Sequence, residues 1–167
     1  MIIELFLFFK PVAKRKIFSV AGGVIKVNLQ RYKLEIEYEY DFLVVGISTH
    51  EKPHRVAWGL NKALELDLTK RDPYTLALKK NDPPSDFTRF TWDHPDFEAT
   101  FSLLSNKGTH GLLVAEAHQA DYLFIAEGPF TDEDEKQMIA DMRTVPFILM
   151  AYRIEPAQLK SKQNLIF

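Results

Sequence analysis

Five residues, His50-Glu51-Lys52-Pro53-His54, spell H-E-x-x-H. In that arrangement two imidazoles one helical turn apart hold Zn²⁺, and the glutamate activates a metal-bound water. The chemistry makes a structural demand: the whole motif must lie inside one regular helix, with a third ligand further along. The residues just before it, FLVVGIST, read as strand, so His50 falls at or before a helix start. Pro53 restricts Lys52 to extended backbone, which pulls the two imidazoles off a shared helical face. The extended metzincin pattern asks for Gly at Ala57 and His at Leu60, and neither Asp67 nor His94 has a spacing that argues for a third ligand. His50 and His54 are therefore weak metal candidates; no cofactor and no catalytic residue is expected.

A second set is the carboxylate row Glu35, Glu37, Glu39 and Asp41, which shares one face of an alternating segment. Acid–base catalysis needs two carboxylates in different environments. A uniform row in water offers none, so these acids read as a solvated face, an edge-strand guard or a recognition surface for a basic partner. A third is Phe87-Thr88-Arg89-Phe90-Thr91-Trp92, where aromatic and basic residues on a strand could stack RNA bases. No RNP-like string accompanies it, and Phe90 and Trp92 read as core. Trp58 is expected to be packed or half-buried. His118 and Asp121 would form an acid–base pair only if folding brought them together, and His110 and His118 flank a segment that reads as mobile.

Other chemistries are excluded by what is missing. With no Cys in the chain, disulfides, thiolate nucleophiles and Cys-ligated metals drop out. No nucleophile elbow, Walker loop or dinucleotide fingerprint occurs. A net charge of −2 gives the chain no general attraction to polyanions, so no nucleic-acid partner is expected. No membrane partner is expected either, and the cytoplasm is the expected compartment. The opening MIIELFLFF, followed by basic residues, is far shorter than the ~20 apolar residues of a spanning helix. It fits an extra strand, an amphipathic surface anchor, or a translation start placed too far upstream, with Met1 to about Lys26 outside the natural protein.

The elements that must position these residues can be read from periodicity. Tyr32 to Ile47 predicts one long strand, half-buried up to Phe42 and buried on both faces after it. Val56, Leu60, Ala63 and Leu64 predict an amphipathic helix over about Glu51–Leu66, capped by Ser48 or Thr49. Asp67 to Asp86, with three prolines, reads as a loop. Phe87–Trp92 and Phe97–Leu104 predict a hairpin, with Phe97, Ala99, Phe101 and Leu103 on one face, and Asn106-Lys107-Gly108 closes the second strand. Tyr122–Ala126 predicts a strand, Asp132–Met142 a helix capped by Thr131, and Val145–Ile154 a final strand. The order is β-α-β-β-β-α-β. It is an α+β fold: a largely antiparallel sheet with two helices packed on one face. Residues 1–28 form an N-terminal extension, 29–154 one domain and 155–167 a C-terminal tail.

YKLEIEYEYDFLVVGISTHEKPHRVAWGLNKAL, QADYLFIAEG, VPFILMAYRI and the closing LKSKQNLIF resemble the bacterial "IPExxxVDY" family over about residues 29–167. Val145 and Pro146 fit the naming motif; Phe147 stands in place of its Glu, and V-D-Y is not reproduced around Ala151, Tyr152 and Arg153. The resemblance implies no activity and no catalytic residues. The tail supplies further candidates: Lys160 and Lys162, then the apolar Leu165, Ile166 and Phe167, which could dock on the chain's own domain, a twin subunit or another protein. The expected function is a non-catalytic protein-interaction or homo-oligomerising domain, its contacts drawn from the acid row and the tail. A small-molecule-binding regulatory domain is the alternative, and a zinc hydrolase built on HEKPH comes third.

Overall fold

A run of five consecutive buried residues, Leu43 to Ile47, requires cover on both faces, and the fold supplies it by making this strand central. The computed structural model describes residues 42–79 and 82–166. The acid row Glu35, Glu37, Glu39 and Asp41, the extension over residues 1–28 and Phe167 lie outside the described residues. Strand β1 (Phe42–Ser48) is flanked by β5 (Tyr122–Glu127) and β6 (Met150–Ile154). Beyond β5 lie β4 (Thr100–Ser105), β3 (Ser85–Asp93) and β2 (Thr69–Leu76), giving the order β2-β3-β4-β5-β1-β6 with every described pairing antiparallel. Helices α1 (Pro53–Leu64) and α2 (Asp132–Arg143) share one face of this α+β sheet.

Alternation along the strands sorts side chains between two cores. Leu43, Val45 and Ile47 join Phe101, Leu103 and Phe124 beneath the helices, meeting Val56, Leu60, Ile139 and Met142. The opposite face carries Val44, Phe87, Leu104, Leu123 and Ile125. Among the described residues no long helix covers that side. It is closed by the segment between β4 and β5, through Leu113, Val114 and Ala117, and by the chain's end, through Leu159 and Leu165. Among the described residues no helix is long and apolar enough to cross a membrane.

Several expectations need correction. Asp67–Asp86 is not a loop: β2 lies in it, its residues mostly exposed at the sheet edge. An edge strand needs no apolar alternation and tolerates Pro73, which sits where the register with β3 shifts between Arg71 and Tyr74. The last strand begins at Met150 rather than Val145, because residues 145–149 turn tightly after α2, with the Ile148 N–H donating to the Val145 carbonyl at 3.0 Å. Phe97 leaves the predicted hairpin face for the turn. It is 67% exposed, its ring 4.6 Å from that of His94. Thr49 does not cap α1. The N-cap is Lys52, extended and without a side-chain cap; Pro53 stands in the first turn, where its missing N–H costs nothing, and the Arg55 N–H donates to the Lys52 carbonyl at 3.0 Å. At α2 the expected Thr131 cap is present as a reciprocal box with Asp134.

The segment after β4 is also more ordered than its polar sequence implies. Asn106 is fully buried, and its amide group donates to the carbonyls of Val114, Ala117 and Ala120 at 3.3, 2.9 and 3.0 Å. Its side-chain oxygen accepts the Val114 N–H at 2.8 Å. One side chain thus organises the whole excursion between β4 and β5.

Candidate interaction surface

The strand-to-helix junction holds HEKPH as two separate halves. His50 lies in the turn after β1, and α1 starts only at Pro53, so the imidazoles do not stack along one helical face. Glu51 turns its carboxylate to Arg55 at 3.3 Å, while its carbonyl accepts the Tyr122 hydroxyl at 2.8 Å. Burial, then the charges of Asp121 and Glu51, pushes the Tyr122 phenol up to about 12. It is held as a hydrogen-bond donor rather than a base. Asp121 is likewise committed: it accepts the Thr49 N–H at 2.9 Å and pairs with Lys107 at 2.5 Å, not with His118. Thr49 donates its hydroxyl to the Phe147 carbonyl at 2.7 Å. These groups border a polar cleft of about 400 Å³.

Three of these bonds, Thr49 to Asp121, Tyr122 to Glu51 and Thr49 to Phe147, tie the β1–α1 turn to the start of β5 or to the turn before β6, which is a structural task. Among the described residues no group of three or more His, Cys, Asp or Glu is placed to hold a metal ion. Replacing His50 and His54 together by Ala is expected to leave both metal content and Tm unchanged. One zinc per chain, lost in the double variant, would reverse that reading.

The exposed apolar surface lies elsewhere, on the outer side of α1. Val56 and Leu60 point into the sheet; Trp58, about 200° around the helix from Val56, points out and is 62% exposed. This corrects the expectation of a packed or half-buried indole. Position on the wheel could have shown it, because Trp58 sits off the apolar stripe. Gly59 lets the turn before β6 approach: a Cβ there would lie 2.5 Å from the Phe147 ring and 3.0 Å from Val145. The close approach leaves an open groove of about 470 Å³, walled by Trp58, Val145, Pro146 and Phe147. Two cations edge it. The Arg55 guanidinium stands 5.2 Å from the Phe147 ring centre and the Lys62 ammonium 5.9 Å from that of Trp58. Just along the chain, Leu149 and Met150 are 65% and 49% exposed where β6, the last strand among the described residues, begins.

The tail candidates divide. Leu165 is 1% exposed within the second core, so it is out of a partner's reach while the tail is docked. Ile166, at 43%, and the Lys160 side chain remain at the surface, and Lys162 is half-buried. The tail is held by Glu116, which accepts the Lys160 and Ser161 N–H groups and the Ser161 hydroxyl, the last at 2.6 Å. Asn164 adds a bond to the Leu113 carbonyl at 2.9 Å. Own-domain docking is therefore what residues 155–166 do. Trp58, Phe147, Leu149 and Met150 were not singled out as contact residues by sequence reasoning; Leu149 and Met150 read there as ordinary members of a final strand. No family model matches the chain, and no curated protein matches it in sequence.

Proposed function

We propose that this chain is a non-catalytic cytoplasmic protein-interaction domain of the "IPExxxVDY" type, binding a protein partner or a second copy of itself through the groove between α1 and the turn before β6. The observation that carries the reading is Trp58. An indole 62% exposed beside an apolar groove forgoes burial worth about 2 kcal/mol or more, which association would recover. Trp and Arg are also the side chains most enriched where binding energy concentrates. The adjoining β6 is the last strand of the sheet among the described residues, and such a strand offers backbone donors and acceptors that a second chain can pair.

Sedimentation of the full chain, set beside Trp58→Glu, tests it. Trp58→Glu should leave Tm within about 2 °C, since an exposed site away from the core contributes little to stability. It should weaken self-association, or capture of a defined partner, at least tenfold. Equal association by both proteins would reject the groove as the contact surface.

A second reading, a small-molecule-binding regulatory domain, is supported by a different feature: a cleft of about 550 Å³ between the end of α1, α2 and the β3–β4 hairpin. That size lies within the range of ordinary ligand sites.

A further inference from the structure

The walls of the cleft between α1, α2 and the β3–β4 hairpin have a specific chemistry. Its floor is aromatic: Trp92 and Phe101 stack at 5.8 Å, and Phe130 meets Phe101 at 5.6 Å. Carboxylates stand around it from two directions. Glu65 comes from the end of α1, while Asp134 and Asp141 come from α2, seven residues apart and so on one face of that helix. Met138, between them, adds a polarizable wall. Among the described residues no Lys or Arg lines the cleft, and His94, which does, uses Nδ1 to accept the Asp96 N–H at 3.1 Å. The Thr131 hydroxyl bond, and then the Thr131 N–H, hold the Asp134 carboxyl below its usual range, so this acid stays charged near neutrality.

Each half of this description selects the same ligand. Aromatic faces carry negative potential and attract cations, most strongly over indole. Carboxylates placed about an apolar floor attract cations too, and repel anions. An apolar, neutral ligand would gain from the rings and nothing from the acids; a metal ion keeps its hydration shell and has no apolar surface, so it would gain from the acids and little from the floor. We infer that the cleft between α1, α2 and the β3–β4 hairpin binds a small organic ammonium ion, its alkyl groups against Trp92 and Phe101 and its charge among Glu65, Asp134 and Asp141. This assignment rests on the ligand-binding reading of the cleft and adds the ligand's class to it. The groove beside Trp58 is its electrostatic opposite, edged by Arg55 and Lys62.

That contrast supplies the test, because the chain's two Trp are one in each place. The indole N–H signals of the full chain are followed by NMR during titration with choline and, separately, with 3,3-dimethylbutan-1-ol, its neutral isostere. Choline should shift the Trp92 signal saturably in the millimolar range or below, leaving Trp58 in place, and should bind at least tenfold tighter than the alcohol. Glu65→Gln with Asp141→Asn, both substitutions at the cleft's edge, should weaken choline several-fold and leave the alcohol unaffected. Equal binding of choline and the alcohol would overturn the cationic assignment while keeping a ligand cleft. No saturable shift with either compound would overturn both.

Discussion

Asn106→Ala is expected to cost this fold about 3–5 kcal/mol, with a fall in Tm on the order of 10 °C. The side chain is fully buried; its two amide N–H groups are shared among three carbonyls, and its oxygen takes the Val114 N–H. Truncation leaves those groups in an apolar setting beside Leu113, Val114 and Ala117, where each unsatisfied partner costs about 1–3 kcal/mol. Carbonyls with a second lone pair otherwise occupied lose less, which keeps the total below the simple sum. The backbone of Asn106 stays paired to Asp121 and Leu113, so the strand end itself should survive. Asn106→Asp separates volume from bonding. It is isosteric and retains the acceptor for Val114, yet turns an anionic oxygen toward three carbonyls, and should be no better than Ala at neutral pH. Urea unfolding measures both. A loss under about 1 kcal/mol for Asn106→Ala would mean that the β4–β5 segment holds its shape without this hub.

Such a hub was not legible beforehand, and the reason is physical. An Asn before Lys-Gly carries the composition of any turn; nothing in the sequence tells an amide facing water from one facing three carbonyls that lie eight to fourteen residues away. What was legible had local periodicity behind it. Leu43 to Ile47 announced a strand buried on both faces, and β1 is central. The Val56–Leu60–Leu64 spacing gave α1, and Thr131 with the acids after it gave the start of α2. The edge strand β2 lacked an alternating signal, since most of its residues face water; among the described strands it pairs with β3, and only Tyr74 and Leu76 pack on the second core. The surfaces were harder still. Trp58 and Phe147 become neighbours only through Gly59, and the cleft gathers Glu65, Trp92 and Asp141 from three separate elements.

Leu165→Ala should destabilise the domain by about 2–4 kcal/mol, whereas Ile166→Ala next to it should cost no more than about 0.5 kcal/mol. Leu165 is 1% exposed and packs with Leu159 on the face of the sheet opposite the helices; Ile166 is 43% exposed. The tail thus does for that face what α1 and α2 do for the other, with one or two side chains in place of a helical stripe. Its docking also depends on charge. The Ser161 hydroxyl bond leads in holding the Glu116 carboxyl below its ordinary value of 4.5, its own N–H following, with the Lys160 and Ser161 N–H groups also lowering it. A carboxyl whose pKa is depressed by folding contributes stability above its unfolded pKa and loses that contribution as pH falls through the folded one. Acidification below about pH 4.5 should therefore loosen the tail, because a protonated Glu116 no longer accepts all three bonds. Hydrogen exchange at Asn164 and Leu165, followed from pH 6 to pH 3 in wild type and in Glu116→Gln, reads this directly. The wild-type amides should lose protection at the acid end beyond the exchange chemistry itself, while Glu116→Gln should show reduced protection at every pH. Protection that ignores both acid and the substitution would place the tail's hold entirely in Leu159 and Leu165.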